Sequence, residues 1–305
     1  MTLDVTTLTT LIGAPVRAQE PLARHTSWRV GGPADFFVQA PTLEILKRAA
    51  QTARAQALPY FLLGRGTNIL SADAGFRGLV IAVNCDAYQL VAHDDTASLC
   101  AEAGAALPWL ANTLAKQGWA GLEWAVGVPS TVGSAVVNNA GAHGACIAAV
   151  LRQTTILDAS NHERVLKNAE CEFAYRRSRF KGQRGREVIL SAEFLLKRDA
   201  PTAITQRLKK FNAHRRATQP SDPSAGSVFK NPPNDYAGRL IEAAGLKGAQ
   251  VGGARISPVH ANFFVNTGAA TARDLLGLIQ LAQAKVSECF GVQLEPEIEL
   301  IGFEA

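Results

Sequence analysis

The sequence predicts an α+β chain of about two domains, and three observations carry that reading. At 305 residues the chain exceeds what a single core of ordinary size fills. Short strand-like apolar runs (GLVIAVN, SLCAEAGA, RQTTILDAS, ERVLKNAECEFAY, REVILSAEFLLK) alternate with segments whose apolar residues keep a helical period. Around Asp199-Ala200-Pro201 the texture changes to a basic helix and then a Pro-rich loop, which places a domain boundary there.

In chain order, HTSWRVGGPAD (25–35) reads as a turn entering the strand-like FFVQA. Thr42 caps a helix with the stripe Leu43, Ile45, Leu46, Ala49, Ala50 and Ala53. PYFLL is a strand, followed by Gly64-Arg65-Gly66-Thr67-Asn68 before Ile69. That loop fits a plain tight turn or an anion site of backbone donors. It lacks the third glycine of the dinucleotide fingerprint, a position held by Ile69. ALPWLANTLAKQG reads as a helix ending at Gly118. After the three later strands, with turns at Ser160-Asn161 and Gly182 to Gly185, come the helix ITQRLKKFNAHRRA and a loop, 219–233, stiffened by four prolines. YAGRLIEAAG (helix), ANFFVN (strand) and a helix from Thr271 to Phe290 follow. In QLEPEIELIG, Glu295, Glu297 and Glu299 alternate with Pro296, Ile298 and Leu300, so one strand face carries the carboxylates.

The stretch that stands out is GLEWAVGVPSTVGSAVVNNAGAHG (121–144). Five of its residues are glycine and most others are small. Such a segment lets backbone approach another object and present N–H groups to it. It suits either a phosphate-bearing cofactor or a Gly-rich turn between strands.

Composition narrows the class. With 47% hydrophobic and 19% charged residues, the chain is an ordinary globular one. A net charge of +5 without a Lys/Arg tract interleaved with aromatics argues against nucleic-acid binding. The five scattered cysteines form no C-x-x-C pair, which points to a reducing cytoplasm and away from zinc or a disulfide framework. The N-terminus does not read as a signal peptide, and no apolar run approaches the ~20 residues of a membrane span.

Taken in order, HTSWRVGGPAD, LLGRGTNIL, GLEWAVGVPSTVGSAVVNNAGAHG, FAYRRSRFK, RRATQPSDPSAGSVFKNP, AGRLIEAAGLKG, HANFFVN and LEPEIELIG resemble the UDP-N-acetylenolpyruvoylglucosamine reductase (MurB) family, from about Thr26 to Gly302. The resemblance implies an FAD-binding domain of the vanillyl-alcohol-oxidase (PCMH) type, two α+β lobes over 1–198. It also implies a C-terminal α+β substrate-binding domain over 199–305, whose strand 293–302 contributes to the active site. Carried over by position, Gly64, Arg65, Gly66, Thr67, Asn68 and Ile69 would hold the FAD pyrophosphate. Gly127, Val128, Pro129, Thr131, Val132 and Gly133 would do so too, Val128 to Gly133 through backbone donors. Asn139, Ala140 and Gly141 would lie near the flavin. Arg176, Ser227 and Glu297 match the family's catalytic residues, Gln219, Lys230 and Asn231 fall where the family contacts its substrate, and Lys230 and Arg239 are among the basic residues available to the diphosphates of the UDP-sugar and NADPH.

The implied activity is the NADPH-driven reduction of UDP-N-acetylglucosamine enolpyruvate in peptidoglycan precursor synthesis. FAD is expected to be non-covalent, because the Gly64 to Leu70 loop has no His or Cys to tether it. A cytoplasmic monomer without metal, nucleic-acid or membrane partners is expected. The chain departs from the family in having Arg65 and His143 at unusual positions, and it resembles the shorter form that lacks an inserted, substrate-contacting Tyr segment. Two other readings stay open: another FAD oxidoreductase of the same cofactor fold acting on an alcohol or sugar, and a nucleotide-binding regulator without catalysis.

Overall fold

The computed structural model describes residues 3–183 and 186–303. Part of the turn expected at Gly182 to Gly185 therefore lies outside the described residues. The chain forms two compact units. The first comprises the stretch up to Ala18, Phe36–Gly64 and Gly78–His214; the second comprises Gln19–Asp35, Arg65–Arg77 and the stretch from Arg215 onward. This partition differs from a single cut at Asp199. The chain changes units inside a helix instead, and two short early segments join the later unit.

The first unit is built on a long antiparallel sheet in the order Glu163–Lys167, Leu151–Leu157, Val188–Arg198, Thr96–Glu102, Tyr88–Ala92. Its central strand pairs on both sides, with Ala192 opposite Thr154 and Ala101. One face of this strand, Val188, Leu190, Ala192, Phe194 and Leu196, is buried, whereas on the other face Ser191 and Glu193 are half-buried and Leu195 is exposed. ERVLKNAECEFAY is not one strand. The ladder stops at Lys167, whose N–H donates to Glu170 Oε2 at 2.8 Å, and a 3-10 turn over Asn168–Cys171 follows. In a second sheet, Tyr60–Leu63 runs parallel to Phe76–Val83, with Leu62 opposite Ile81.

Helix α1 (Val5–Ile12) was not foreseen. Its β-branched residues are weak helix formers, but Asp4 caps it by accepting from the Thr7 N–H at 2.7 Å. Helix α2 (Leu43–Ala55) starts at Thr42 as expected and buries Leu46, Ala49, Ala50 and Ala53. Helix α3 (Leu107–Lys116) and helix α4 (Val132–Asn138) complete the layer, and α5 (Pro201–Thr218) carries the chain into the second unit.

In the second unit an antiparallel sheet runs Ser224–Ser227, Phe263–Asn266, Ala254–Ile256, Gln250–Val251. Helices α6 (Ala237–Ala243) and α7 (Ala272–Phe290) pack together, and α7 lies along this sheet. Trp28 explains why residues 19–35 belong here. It is fully buried, its indole N–H donates to the Phe264 carbonyl at 2.7 Å, and its own carbonyl accepts from Asn266 Nδ2 at 2.8 Å. Burying a side chain of this size contributes on the order of 2–3 kcal/mol. Asp73 ties Arg65–Arg77 to the same unit, because its two carboxylate oxygens accept from the first-turn N–H groups of Ala272 and Arg273 at 2.8 and 3.0 Å.

The C-terminal strand is shorter than the alternation suggested. Only Glu299–Ile301 is regular, paired in parallel with Ile69–Ser71. Pro296 has no N–H for a ladder, and the preceding residues are held instead by a single bridge from Pro296 to Phe229. The expectation that Glu295, Glu297 and Glu299 share one strand face is corrected accordingly: only Glu299 lies in the regular strand, and Glu295 is exposed while Glu297 and Glu299 are half-buried.

Candidate active site

Two of the expected cofactor stretches meet within the first unit. A Cβ placed on Gly64 would sit 3.0 Å from Thr131 Oγ1 and 3.3 Å from Ser134 Cβ, so the loop and the start of α4 approach closely, and a side chain here would push one of them back by a few tenths of an ångström. Thr131 caps α4, its Oγ1 accepting from the Ser134 N–H at 3.4 Å.

The Gly-rich stretch is a folded element rather than an open loop. The N–H groups of Val128, Val132 and Gly133 donate to the carbonyls of Ala125, Ala105 and Ala103 at 2.9, 2.9 and 2.8 Å, and Pro129 has none. The expectation that Val128 to Gly133 offers backbone donors is therefore narrowed: the N–H groups of Val128, Val132 and Gly133 are used within the protein, and that of Ser130 donates to the Val128 carbonyl at 2.7 Å. Those of Val132 and Gly133 hold α4 against the sheet, and a Cβ on Gly133 would approach that of Ala103 to 2.9 Å.

The amide of Asn139 is also engaged. Buried at the α4 C-terminus with φ 41°, Asn139 donates from Nδ2 to the Ala174 carbonyl at 2.9 Å and accepts at Oδ1 from the Ala148 N–H at 3.0 Å. Ala174 begins the turn that carries Arg176, closed by N–H donations from Ala174 to Arg177 O and from Arg177 to Ala174 O at 3.0 and 3.1 Å. Arg176 has φ 53°, a conformation that a non-Gly residue keeps only when its surroundings enforce it. Its Nη2 donates to the Gly141 carbonyl at 2.9 Å. Ala140 and Gly141 lead into the short hairpin Gly141–Ala142 with Ala145–Cys146. Asn139, Gly141 and Arg176 are thus brought together, with Asn139 acting as the strut of the Arg176 turn.

In the second unit the Arg65–Ile69 segment is joined to two of the catalytic candidates. Gly66 has φ 61°, its carbonyl accepts from the Ser27 N–H at 2.9 Å, and a Cβ there would lie 1.9 Å from the His25 carbonyl oxygen. Asn68 Nδ2 donates to the Glu297 carbonyl at 3.3 Å, and the Asn68 carbonyl accepts from the Glu299 N–H at 2.9 Å. The Glu297 N–H donates to the Val228 carbonyl at 2.8 Å, one residue beyond Ser227, which pairs with Phe263. Asn68, Glu297 and Ser227 therefore hang on one backbone framework. The segment also fits an anionic diphosphate chemically: Arg65 is exposed, Thr67 and Asn68 are half-buried, and no acidic side chain lies within it.

A model described as the MurB C-terminal domain of UDP-N-acetylenolpyruvoylglucosamine reductase matches residues 219–301, and one described as an FAD binding domain matches residues 34–165. The reductase of that name from Chloroflexus aggregans is 45% identical over 289 residues, covering 94% of this chain and 97% of the relative. That of Synechococcus sp. is 44% identical, covering 100% and 99%. The chain belongs to the UDP-N-acetylenolpyruvoylglucosamine reductase family. The crystal structure of MurB from Thermus caldophilus superimposes with a TM-score of 0.79 at 34% identity, covering 94% of this chain and 98% of that one.

The substrate-contact candidates of this MurB chain are less open than their sequence suggests. Lys230 donates its N–H to the Glu295 carbonyl at 2.9 Å, and its ammonium is hydrogen-bonded to the Glu295 carboxylate. Arg239 forms a two-point pair with Asp235, with Nε to Oδ1 at 2.6 Å, and that guanidinium pulls the Asp235 carboxyl down to about 2. Asn231 Oδ1 accepts from the Ala237 N–H at 3.1 Å, linking Lys230 and Asn231 to α6, which bears Arg239. Gln219 follows the end of α5, its N–H donating to the Arg215 carbonyl at 2.9 Å. His143 stacks on Phe211 with ring centroids 4.2 Å apart.

Sequence reasoning missed Glu295 and Asp235 as partners of these cations. The i,i+4 spacing of Asp235 and Arg239 was a readable signal. The contact across 65 residues between Lys230 and Glu295 was not.

Proposed function

We propose that this enzyme reduces the enolpyruvyl ether of UDP-N-acetylglucosamine enolpyruvate to the lactyl ether of UDP-N-acetylmuramate, the step that peptidoglycan precursor synthesis requires. Residues 1–198 are read as serving FAD and residues 199–305 as serving the substrate. When bound, FAD supplies the hydride chemistry, taking hydride from NADPH and delivering it to C3 of the vinyl group.

The tasks left to the protein follow from where charge develops. Negative charge grows on C2 and its carboxylate, so a fixed cation and hydrogen-bond donors belong there. Arg176 carries a guanidinium that can grip a carboxylate at two points. Its turn, held by Asn139, sets the guanidinium before substrate arrives. Glu297 in its acid form would donate to the same oxygens. The Ser227 hydroxyl would place a proton on C2. Gln219, Lys230, Asn231 and Arg239 are assigned to the UDP-sugar. Gly64 to Ile69 are assigned to the FAD pyrophosphate, with Gly127, Val128, Pro129, Thr131, Val132, Gly133, Asn139, Ala140 and Gly141 lining the cofactor. NADPH and UDP-sugars are cytoplasmic nucleotides and the cysteines suit a reducing compartment, so we place the enzyme in the cytoplasm as a monomer.

The observation that carries this reading is the chain of hydrogen bonds from Asn68 to Glu297 and from Glu297 to Val228, which mounts the pyrophosphate loop and two catalytic candidates on one framework. The test is direct. The yellow protein is reduced anaerobically with NADPH, then mixed with the enolpyruvyl substrate. Recovery of oxidised-flavin absorbance supports the assignment, whereas flavin that stays reduced contradicts it.

A further inference from the structure

The backbone that enters Ser227 is loosely held. Ser224 lies opposite Val265 and Ser227 opposite Phe263, so Ala225 and Gly226 span the stretch that Phe264 spans alone, which makes a β-bulge. Gly226 has φ 74°, and a Cβ there would meet nothing within 4 Å. Glycine has more backbone freedom than any other residue, so the bulge does not by itself fix the direction of the Ser227 hydroxyl. That direction has to be set from the residues that follow.

Those residues are held by Asn262. Its carbonyl accepts from the Val228 N–H at 2.8 Å, which sets the peptide plane leaving Ser227. Its side chain takes both polar groups of Phe229: Oδ1 accepts from the Phe229 N–H at 2.9 Å, and Nδ2 donates to the Phe229 carbonyl at 2.8 Å. Asn262 is 3% exposed and Phe229 1%, so these bonds are shielded from competing water. The main chain of 260–262 turns away at this point. The Phe263 N–H donates to the His260 carbonyl at 2.9 Å and the Asn262 N–H to His260 Nδ1 at 3.2 Å. A side-chain amide carries the donor and acceptor of a peptide group, so Asn262 extends the ladder past the turn. The Val228 carbonyl accepts from the Glu297 N–H at 2.8 Å, which completes the hold on the residue next to Ser227.

We propose that Asn262 is a positioning residue for proton delivery: its amide clamps Phe229, and the clamp aims the Ser227 hydroxyl. This rests on the functional reading above, in which Ser227 places a proton on C2. An amide that merely stabilised the sheet would matter equally with and without that hydroxyl.

The test is a double-mutant cycle on the FAD-loaded full chain, read by rapid mixing. Asn262→Ala removes both amide contacts and should slow flavin reoxidation by the enolpyruvyl substrate about tenfold, inside the ~10²-fold that misplacement by an ångström can cost. Reduction by NADPH should change by less than about twofold, because it asks nothing of Ser227. In Ser227→Ala no hydroxyl is left to aim, so adding Asn262→Ala should slow reoxidation by less than about twofold further. Hydrogen exchange read by mass spectrometry should quicken in the peptide that spans Ser227 to Lys230. Asn262→Asp keeps an acceptor for the Phe229 N–H but sets an oxygen against the Phe229 carbonyl, and it serves if the first variant folds poorly. Losses that add in the cycle, equal slowing of both half-reactions, or unchanged exchange at 227–230 overturn the inference. So does reoxidation at the wild-type rate in both Asn262 variants while Ser227→Ala alone slows it. Ser227→Ala that is reoxidised at the wild-type rate overturns the functional reading beneath it.

Discussion

Replacing Asn139 with Ala should damage the Arg176 turn more than it damages FAD binding. The magnitude follows from three losses. The half-buried Ala148 N–H, now 3.0 Å from Oδ1, is left without its acceptor, and the Ala174 carbonyl loses its donor at 2.9 Å. Each loss costs on the order of 1 kcal/mol, more where the orphaned group stays dry. Alanine also tolerates the left-handed φ of 41° less well than asparagine, by roughly 1 kcal/mol. The sum, about 3 kcal/mol, corresponds to a fall in Tm of roughly 6–12 °C for a unit of this size. Asn139→Asp keeps an acceptor for Ala148 but sets a carboxylate oxygen against the Ala174 carbonyl, so it should rescue stability only in part. Calorimetry gives the Tm. Steady-state kinetics should show kcat falling, while fluorescence titration of the apoprotein shows FAD affinity changed by less than about threefold. If Asn139→Ala keeps its Tm within about 1 °C, or loses FAD affinity alone, the strut assignment is wrong and the side chain serves the cofactor directly.

Other expectations can be checked with the same protein. Arg65 is exposed between Gly64 and Gly66, so Arg65→Gly should weaken FAD retention by about 1 kcal/mol, roughly fivefold, in equilibrium dialysis; unchanged affinity means the guanidinium stays in solvent. Acid precipitation should release all yellow colour into the supernatant, and flavin left on the pellet would disprove non-covalent binding. Burial pushes the His260 imidazole down, and its Nδ1 accepts from the Asn262 N–H at 3.2 Å, a bond that protonation removes. The unfolded chain takes up that proton more readily than the folded one. Stability is therefore full above the ordinary histidine value of about 6.5 and declines as pH falls through and below it. A plot of Tm against pH should be flatter for His260→Gln between pH 7.5 and 5.5, and parallel curves would rule the contribution out.

The elements set by local chemistry were legible in the sequence. Thr42 and Thr271 announced α2 and α7, and both hydroxyls do accept the N–H three residues on. The dense apolar run of Val188–Arg198 declared a central strand. What stayed hidden depends on partners distant in sequence. Glycines at 127 and 133 looked like freed backbone. Gly133 instead lets α4 settle on Ala103, and the N–H groups of Val132 and Gly133, which sequence had assigned to phosphate, donate to the carbonyls of Ala105 and Ala103. The carboxylate alternation at 295–299 could not reveal that Lys230 captures the first. Trp28 gave no local sign that residues 19–35 would fold with a unit formed mostly from residues after 214. Motif order identified the catalytic candidates, whereas their supports came only from geometry.

The central claim is that Ser227 delivers a proton in the second half-reaction alone. Ser227 sits half-buried on the strand Ser224–Ser227, opposite Phe263, and Ser227→Ala removes a single oxygen, so folding and FAD binding should be nearly intact. Reduction of the flavin by NADPH asks nothing of a proton donor at C2. Rapid mixing, following flavin absorbance with each substrate in turn, separates the steps. Reduction by NADPH should stay within about tenfold of wild type, while reoxidation by the enolpyruvyl substrate should fall at least ~10²-fold, the lower range for a lost general acid. Equal slowing of both steps, or reoxidation at the wild-type rate, would contradict the account.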